Sequence, residues 1–369
     1  MKHKENQFVT GRRDALKMFG LGSAALMMGE FGRIPSVDMF ETPEMAVKNK
    51  AVTQAGRTSV AFTNGTDRRA MMFEVLKPFE DKIRKDIKGK QVVIKPNMVS
   101  TKVPLCATHV DAIRGLLEYL SPFYHGQFII AEASGGSANG DSAPGFLNYG
   151  YLDLQKDYNI KFIDLNKTTG TPMWILDQDL YPDKIQIADM FVDPKNYFIS
   201  ISRLKTHNTV IMTAGVKNMV LAAPMIIPGV NGEKQLHYKR RMHAGGSRWL
   251  HYNMYQIAKQ VRADFTIIDG VEGMQGNGPT GGYPVDHRIA LAGEDAMAVD
   301  SLCAKLMGIP LENLGYLNYC AADGLGIIDR DKIDILGGLD PDKYVIPYKL
   351  ADNIATQLAW KEPLIPVQK

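Results

Sequence analysis

Short apolar runs alternate with stretches of helical spacing along most of this chain. Gln91–Lys95 (QVVIK) reads as a short strand that stops at Pro96. Val110–Leu120 (VDAIRGLLEYL) places Ile113, Leu116, Leu117 and Leu120 on one helical face. Gln127–Ala131 and Ile160–Leu165 read as a second and a third strand. Phe198–Ser202 (FISIS), rich in β-branched and aromatic residues, is a fourth. Tyr252–Val261 has helical spacing, Asp264–Ile268 is a fifth strand, Arg288–Ala292 a sixth, and Ala296–Met307 a further helix. Strands separated by helices predict an α/β fold: a mostly parallel sheet flanked by helices on both faces.

In such sheets ligands bind beyond the carboxyl ends of the strands, and here polar residues follow the strands. The first strand runs into Lys95-Pro96-Asn97. The second is followed by Glu132-Ala133-Ser134-Gly135-Gly136, the fourth by Lys205 and His207, and the fifth by Asp269-Gly270-Val271-Glu272-Gly273. The densest stretch is Phe198–Pro224, which sets Lys205, Thr206, His207, Lys217 and Asn218 beside the small residues Thr213, Ala214 and Gly215. Charged side chains are rarely buried without a partner, so this segment predicts a pocket for an anion or a metal rather than a core. The expected arrangement is one cleft holding Lys95, Asn97, Glu132, Lys205, His207, Lys217, Asn218 and Asp269. Lys205 and Lys217 would hold a carboxylate or phosphate as point charges. His207 would act as a general acid or base, its ordinary pKa lying near working pH.

The carboxylates admit two readings. Asp269, Glu272 and Asp300 could ligate a divalent metal, with His207 suiting a softer one. Alternatively, Lys205 or Lys217 pairs with Asp269 or Asp300 in a buried ion network that needs no metal. The segment Gly232–His251 carries five Lys/Arg and three His among turn residues. It reads either as a solvated loop or as a lid over an anionic substrate, with His251 leading the next helix into the site; His237 and His243 could also bind metals adventitiously.

Gly276-Asn277-Gly278-Pro279-Thr280-Gly281 matches the dinucleotide pattern G-x-G-x-x-G, but that fingerprint needs a strand turning straight into a helix. Pro284 follows closely and disfavours a helix start, so no NAD binding is expected. Gly276 and Gly278 would instead let the backbone approach a small ligand.

The remaining composition narrows the class. The chain has 369 residues, 45% of them hydrophobic, enough to bury a large core, and its net charge is only +3. No basic helix interleaved with aromatics appears, so no nucleic-acid partner is expected. Cys106, Cys303 and Cys320 are far apart, and there is no C-x-x-C, so this chain alone is not expected to hold an iron–sulfur cluster. One disulfide or three buried thiols fit the count. Residues 1–30 form a leader, residues 31–58 a polar linker, and residues 59–369 one large α/β domain, with a smaller lobe over 146–192.

The leader resembles a twin-arginine export signal: Thr10-Gly11-Arg12-Arg13-Asp14-Ala15-Leu16-Lys17 precedes a mildly apolar run from Met18 to Gly29. That run is short for a membrane-spanning helix. No clean small-x-small cleavage site follows Met28. The resemblance implies the twin-arginine export machinery as a partner and a location across the cytoplasmic membrane, either free or anchored by an uncleaved signal.

Five segments resemble the domain-of-unknown-function 362 family: Val93-Ile94-Lys95-Pro96-Asn97; Leu204-Lys205-Thr206-His207; Gly215-Val216-Lys217-Asn218; Ile268-Asp269-Gly270 with Gly276-Asn277-Gly278-Pro279; and Ala298-Val299-Asp300. Some relatives carry ferredoxin-like cysteine motifs, which are lacking here. The Gly-x-Lys-Asn segment is also similar to one in lactate-racemase-like proteins. The resemblance implies a shared site rather than a named reaction. Three functions fit the residues: an enzyme acting on a small anionic molecule, a non-catalytic binding or cofactor-handling protein, and a redox accessory that docks an iron–sulfur partner.

The export reading has a direct test. Changing Arg12 and Arg13 together to Lys should retain the protein in the cytoplasm on cell fractionation. Unchanged export would refute the reading.

Overall fold

The computed structural model describes residues 56–136, 140–229 and 235–362. The leader with Arg12 and Arg13, and most of the linker, lie outside the described residues. The strands are β1 (Thr58–Asn64), β2 (Gln91–Pro96), β3 (Phe128–Glu132), β4 (Ile160–Asp164), β5 (Gly170–Leu176), β6 (Pro182–Ala188), β7 (Asn196–His207), β8 (Ile211–Thr213), β9 (Ile226–Pro228), β10 (Gln235–His237), β11 (Phe265–Asn277), β12 (Gly281–Gly293) and β13 (Ile333–Leu336). The main sheet has the order β13-β1-β12-β11-β7-β2-β3-β4, with β8 folded back on β7. Parallel pairing joins β11 to β7, β7 to β2, β2 to β3 and β3 to β4.

Alternation along the strands sorts side chains onto two faces. One face takes Val92 and Ile94 of β2, Ile199 and Ile201 of β7, and Phe265 and Ile267 of β11. It packs against helices α1 (Arg68–Leu76), α2 (Glu80–Asp86) and α3 (Val110–Leu120) through Met72, Leu76, Ile83, Ile113, Leu116, Leu117 and Leu120. Helix α3 has the bounds its 3.6-residue spacing predicts, and His109 caps it by accepting from Asp111 N at 3.2 Å. The other face takes Val93, Phe198, Leu204, Ile268 and Leu291. It is covered by the later helices, among them α5 (Gly215–Val220), a short α6 (Tyr238–Met242), α7 (Gly246–Ala258), α8 (Ala296–Leu306) and α9 (Gly315–Ala322), while the short α4 (Ala143–Asn148) packs Phe146 on the first face.

Several elements depart from the sequence pattern: the helix expected over Tyr252–Val261 is α7, Gly246–Ala258, and the fifth strand runs on past Ile268 to Asn277. The fourth strand does not stop at Ser202 but runs to His207, all twelve of its residues buried. Lys205 and His207 are therefore strand residues. The sixth strand does not follow a crossover: β11 and β12 form one long antiparallel hairpin, so that part of the sheet is antiparallel. The glycine-rich segment is the tip of this hairpin, with no strand-to-helix turn. The 146–192 segment supplies β4 to the main sheet, and its β5–β6 hairpin packs Met173, Ile175 and Ile185 into the shared core. Cys106, Cys303 and Cys320 are free and buried.

The hairpin tip lies on β7. Asn208 N donates to Gly278 O at 2.9 Å, and Thr206 Oγ1 donates to Gly276 O at 2.8 Å. A Cβ at Gly278 would sit 2.1 Å from the Thr206 carbonyl oxygen, a backbone atom with no freedom to rotate away. Gly278→Ala should therefore push the tip off β7 and lower stability by about 1–3 kcal/mol. A denaturant midpoint equal to that of the parent would show that the contact is dispensable.

Candidate functional site

The site grows from one buried cation. Lys95, at the end of β2, is 1% exposed. Burial pushes its pKa down, and Glu132 at the end of β3 opposes the shift. Its Nζ donates to Pro96 O at 2.6 Å, to the Glu132 carboxylate at 2.8 Å and to Asn218 Oδ1 at 3.0 Å. Asn218 uses its whole amide: Oδ1 also accepts from Asn97 Nδ2 at 3.0 Å, and Nδ2 donates to Lys95 O and to Ser200 Oγ, each at 3.0 Å. This network ties β2, β3 and β7 to helix α5.

Helix α5 is started by Asp300 from α8, which accepts from Gly215 N at 2.7 Å and Val216 N at 3.1 Å. Gly215 is required here because a Cβ would lie 2.3 Å from Thr266 Cγ2 and 3.1 Å from Asp300 Oδ1. Burial pushes the Asp300 pKa up to about 7, against the two backbone donors. One turn of α5 carries Asn218 into the network and Lys217 to the wall of a cleft.

That cleft has a volume of about 710 Å³. Its walls include Lys95, Asn97, Glu132, His207, Lys217 and Asn218, so three parallel strand ends and α5 do meet at one place. Lys239 and His243 also line it, and Pro279 and Thr280 at the hairpin tip close one side. Glu132 is the one carboxylate among the lining residues, and Lys95 already pairs with it.

The buried lysines differ in their hydrogen bonding. Lys205 Nζ donates to Cys106 O at 2.6 Å; its pKa is lowered to about 8, chiefly by burial. Lys239 Nζ donates to Leu221 O at 3.0 Å and Ala222 O at 2.8 Å, carbonyls at the end of α5; burial lowers its pKa to about 7. Lys217 is 7% exposed and makes no hydrogen bond or ion pair among the described residues. Its pKa falls well below the lysine value through burial first, then through Lys205, Lys95 and Lys239.

Of the three histidines that line the cleft, His207 and His243 have opposite polarity. His207 Nδ1 accepts from Thr209 N at 3.0 Å and Val210 N at 3.4 Å, so Nε2 carries the proton of its neutral ring. Burial, then Lys217, holds its pKa well below the usual histidine range. His243 Nδ1 lies 2.7 Å from Lys239 O, an obligate acceptor, so Nδ1 is the protonated nitrogen and Nε2 keeps its lone pair. Sequence reasoning singled out neither Lys239 nor His243 as a ligand of the main site. Their signal was the run of cations and histidines around them.

Several expected members lie elsewhere. Asp269 belongs to the same alternating set as Phe265 and Ile267, faces α1, and takes Arg68 Nε at 3.0 Å. Glu272 pairs with Arg203 at 3.0 Å. Asp300 is committed to the α5 backbone. These three therefore do not converge on a metal, and none of them pairs with Lys205 or Lys217 as the ion-network reading required. Among the described residues no group of three or more His, Cys, Asp or Glu side chains is arranged to hold a metal ion. His251 sits within α7, fully buried, accepts from Tyr316 N at 3.2 Å and stacks on the Tyr316 ring. It is a core histidine, and burial lowers its pKa to about 3. Gly276 and Gly278 fasten the hairpin tip to β7, and the residues that reach the cleft are Pro279 and Thr280.

Sheet order and site together define an α/β protein with a lysine-rich cleft beyond the ends of its parallel strands. The model of the family described as "Domain of unknown function (DUF362)" matches residues 92–305, more than half of the chain, and the protein belongs to this family. It is 23% identical over 221 residues to the thylakoid-associated protein sll1697 of Synechocystis sp., covering 59% of this chain and 63% of the relative's length. Among solved structures, the lactate racemase apoprotein of Thermoanaerobacterium thermosaccharolyticum matches with a TM-score of 0.42 at 12% identity, over 73% of this chain and 60% of that one. No helix among the described residues is long and apolar enough to cross a membrane.

The Lys95–Glu132 pair yields a two-part prediction. Glu132→Gln removes the counter-charge from a buried ammonium and should cost about 3–5 kcal/mol of stability. The double change Lys95→Met, Glu132→Leu should recover most of that loss in chemical denaturation. Parental stability in the Glu132→Gln single variant would mean that the pair does not hold the strand ends together.

Proposed function

We propose that this protein is an enzyme acting on a small anionic molecule bound in the lysine-rich cleft. One observation supports this most strongly: the buried amine of Lys217, unpartnered among the described residues, in a wall whose one described carboxylate is already neutralised. A fold that desolvates several lysines without matching acids keeps a site whose missing counter-charge a ligand can supply.

The histidines assign the chemistry. The neutral ring of His207 offers Nε2–H, a donor suited to a carbonyl or developing oxyanion. His243 offers an unprotonated Nε2, a base for a proton on the ligand. A donor and a base on one cleft wall fit proton transfer next to a polarised carbonyl. His207 thus serves as the electrophile rather than as the base. The resemblance of the leader to a twin-arginine signal supports an exported location for this chemistry.

Inorganic phosphate is a suitable first probe. Lys217→Met keeps most of the stem and removes the amine. Phosphate affinity should fall roughly tenfold to a hundredfold, the value of a charge-assisted contact of about 1.5–3 kcal/mol. Thermal stability should hold or rise, because the substitution removes a desolvated amine that no carboxylate compensates. The pH dependence has a definite sign. The free-state pKa of Lys217 is lowered, and a bound anion raises it again, so binding takes up a proton and weakens as pH rises through the pKa of the complex. Calorimetry in buffers of different ionisation enthalpy measures that uptake. A large drop in melting temperature with phosphate affinity intact would overturn the proposal.

A further inference from the structure

Four buried lysines share one neighbourhood, and three of them have settled partners. Lys95 holds Glu132, Asn218 and a carbonyl, Lys205 holds the Cys106 carbonyl, and Lys239 holds two carbonyls at the end of α5. Each of these nitrogens directs its hydrogens at acceptors, so its lone pair is not presented to the cleft even though burial lowers its pKa. Lys217 stands apart: its nitrogen has no acceptor among the described residues, it is more than nine-tenths buried, and it lines the cleft. Lys205, Lys95 and Lys239 each repel a proton on its nitrogen, and no carboxylate among the described residues pairs with it.

A lysine desolvated beside other cations is a nucleophile, because its lone pair is free at neutral pH. The surroundings also suit the electrophile it would meet. His207 presents Nε2–H where a carbonyl oxygen needs polarising, and Lys239 with Arg240 line the same cleft and favour an anionic group. We infer that Lys217 forms an imine with small aldehydes or ketones that carry a carboxylate or phosphate. This rests on the anion-site reading above and narrows its substrate class to carbonyl compounds.

The step balances without a further reactant. The Lys217 Nζ lone pair attacks the carbonyl carbon, and the carbonyl π electrons move to oxygen. One amine proton passes to that oxygen, giving a carbinolamine. The C–O bond then breaks, the nitrogen lone pair forms the C=N bond, and the hydroxyl leaves as water with the second amine proton. An anion without a carbonyl is instead met by Lys217 in its protonated form, so the two behaviours of one residue depend on the ligand.

The groups that set the pH range are Lys95 on β2, Glu132 on β3, Lys205 and His207 on β7, Lys239 on α6, and His243 directly after it. Solvent-exposed lysines titrate near pH 10.4, so only roughly one in 2,500 is unprotonated at pH 7. Lys217 should react at pH 7 while the surface lysines do not.

The full chain is incubated at pH 7 with pyridoxal 5′-phosphate in one arm and pyruvate in the other, then reduced with borohydride. Peptide mass spectrometry maps the adducts. The expected result is a saturable adduct on Lys217, formed at least about tenfold faster than on any other lysine and absent from Lys217→Arg, which puts a permanent cation in place of the nucleophile. Whichever probe saturates at the lower concentration identifies the anion as phosphate or carboxylate. Labels spread over surface lysines, or centred on Lys205 or Lys239, overturn the inference. Phosphate calorimetry on the same samples separates the two readings: phosphate binding without a Lys217 adduct sinks the imine alone, and the absence of both sinks the anion site as well.

Discussion

The ion pair between Lys95 and Glu132 is the constraint on which the rest of the site depends. It consumes the one carboxylate that lines the cleft among the described residues, and through Asn218 it locks the ends of β2, β3 and β7 to a helix of six residues. Everything else follows from that allocation of charge. With the acid spent, Lys205, Lys217 and Lys239 must each find another means of bearing burial. Two do so through backbone carbonyls, and burial lowers their pKa values only to about 8 and about 7. Lys217 has no such recourse and is driven furthest toward the uncharged form.

Helix α5 makes this division of labour possible. Successive residues on one turn point in different directions, so Asn218 completes the structural network while Lys217 reaches the cleft. The helix is too short to be stable on its own propensity. Asp300 at its start and Lys239 at its end satisfy its free N–H and carbonyl groups from neighbouring helices. A site residue that weakens the fold is thus mounted on an element that the fold reinforces from both ends, the compromise expected where binding and stability compete.

Much of this was readable from the chain. The helical face of Val110–Leu120 and the apolar runs of β2, β3 and β7 depend on local spacing, and spacing is a property of sequence. The meeting of Lys95, Asn97, Glu132, His207, Lys217 and Asn218 followed from one topological rule about strand ends. Asp269 broke that rule because β11 does not end at Ile268 but runs on to Asn277, so Asp269 is a mid-strand residue, and alternation from Phe265 and Ile267 sends it toward Arg68. The antiparallel return of β12 was hidden because its first half, GGYPVDH, has no clear strand signal and is paired only because β11 continues beside it. His251 looked like a site residue by its neighbours in sequence, yet its helical phase turns it onto Tyr316. Lys239 and His243 lay in a stretch whose composition suited a loop, and only packing against the end of α5 gives them positions.

The cleft has one wall that the strand ends do not build. Thr209, Pro279 and Thr280 stand on the β7–β8 turn and the β11–β12 tip. Both are fastened from outside by the chain after Ile346. Lys349 O accepts from Gly276 N at 2.7 Å, Asp352 accepts from Asn277 at 2.8 Å, Asn353 donates to Asn208 O at 2.8 Å, and Gln357 accepts from Ile211 N at 2.7 Å. This brace lies beyond residues 92–305, the part of the chain matched to the family. The cleft's width and its charge are therefore held by different parts of the chain: the braced turns position one wall, and the strand ends with α5 position the lysines.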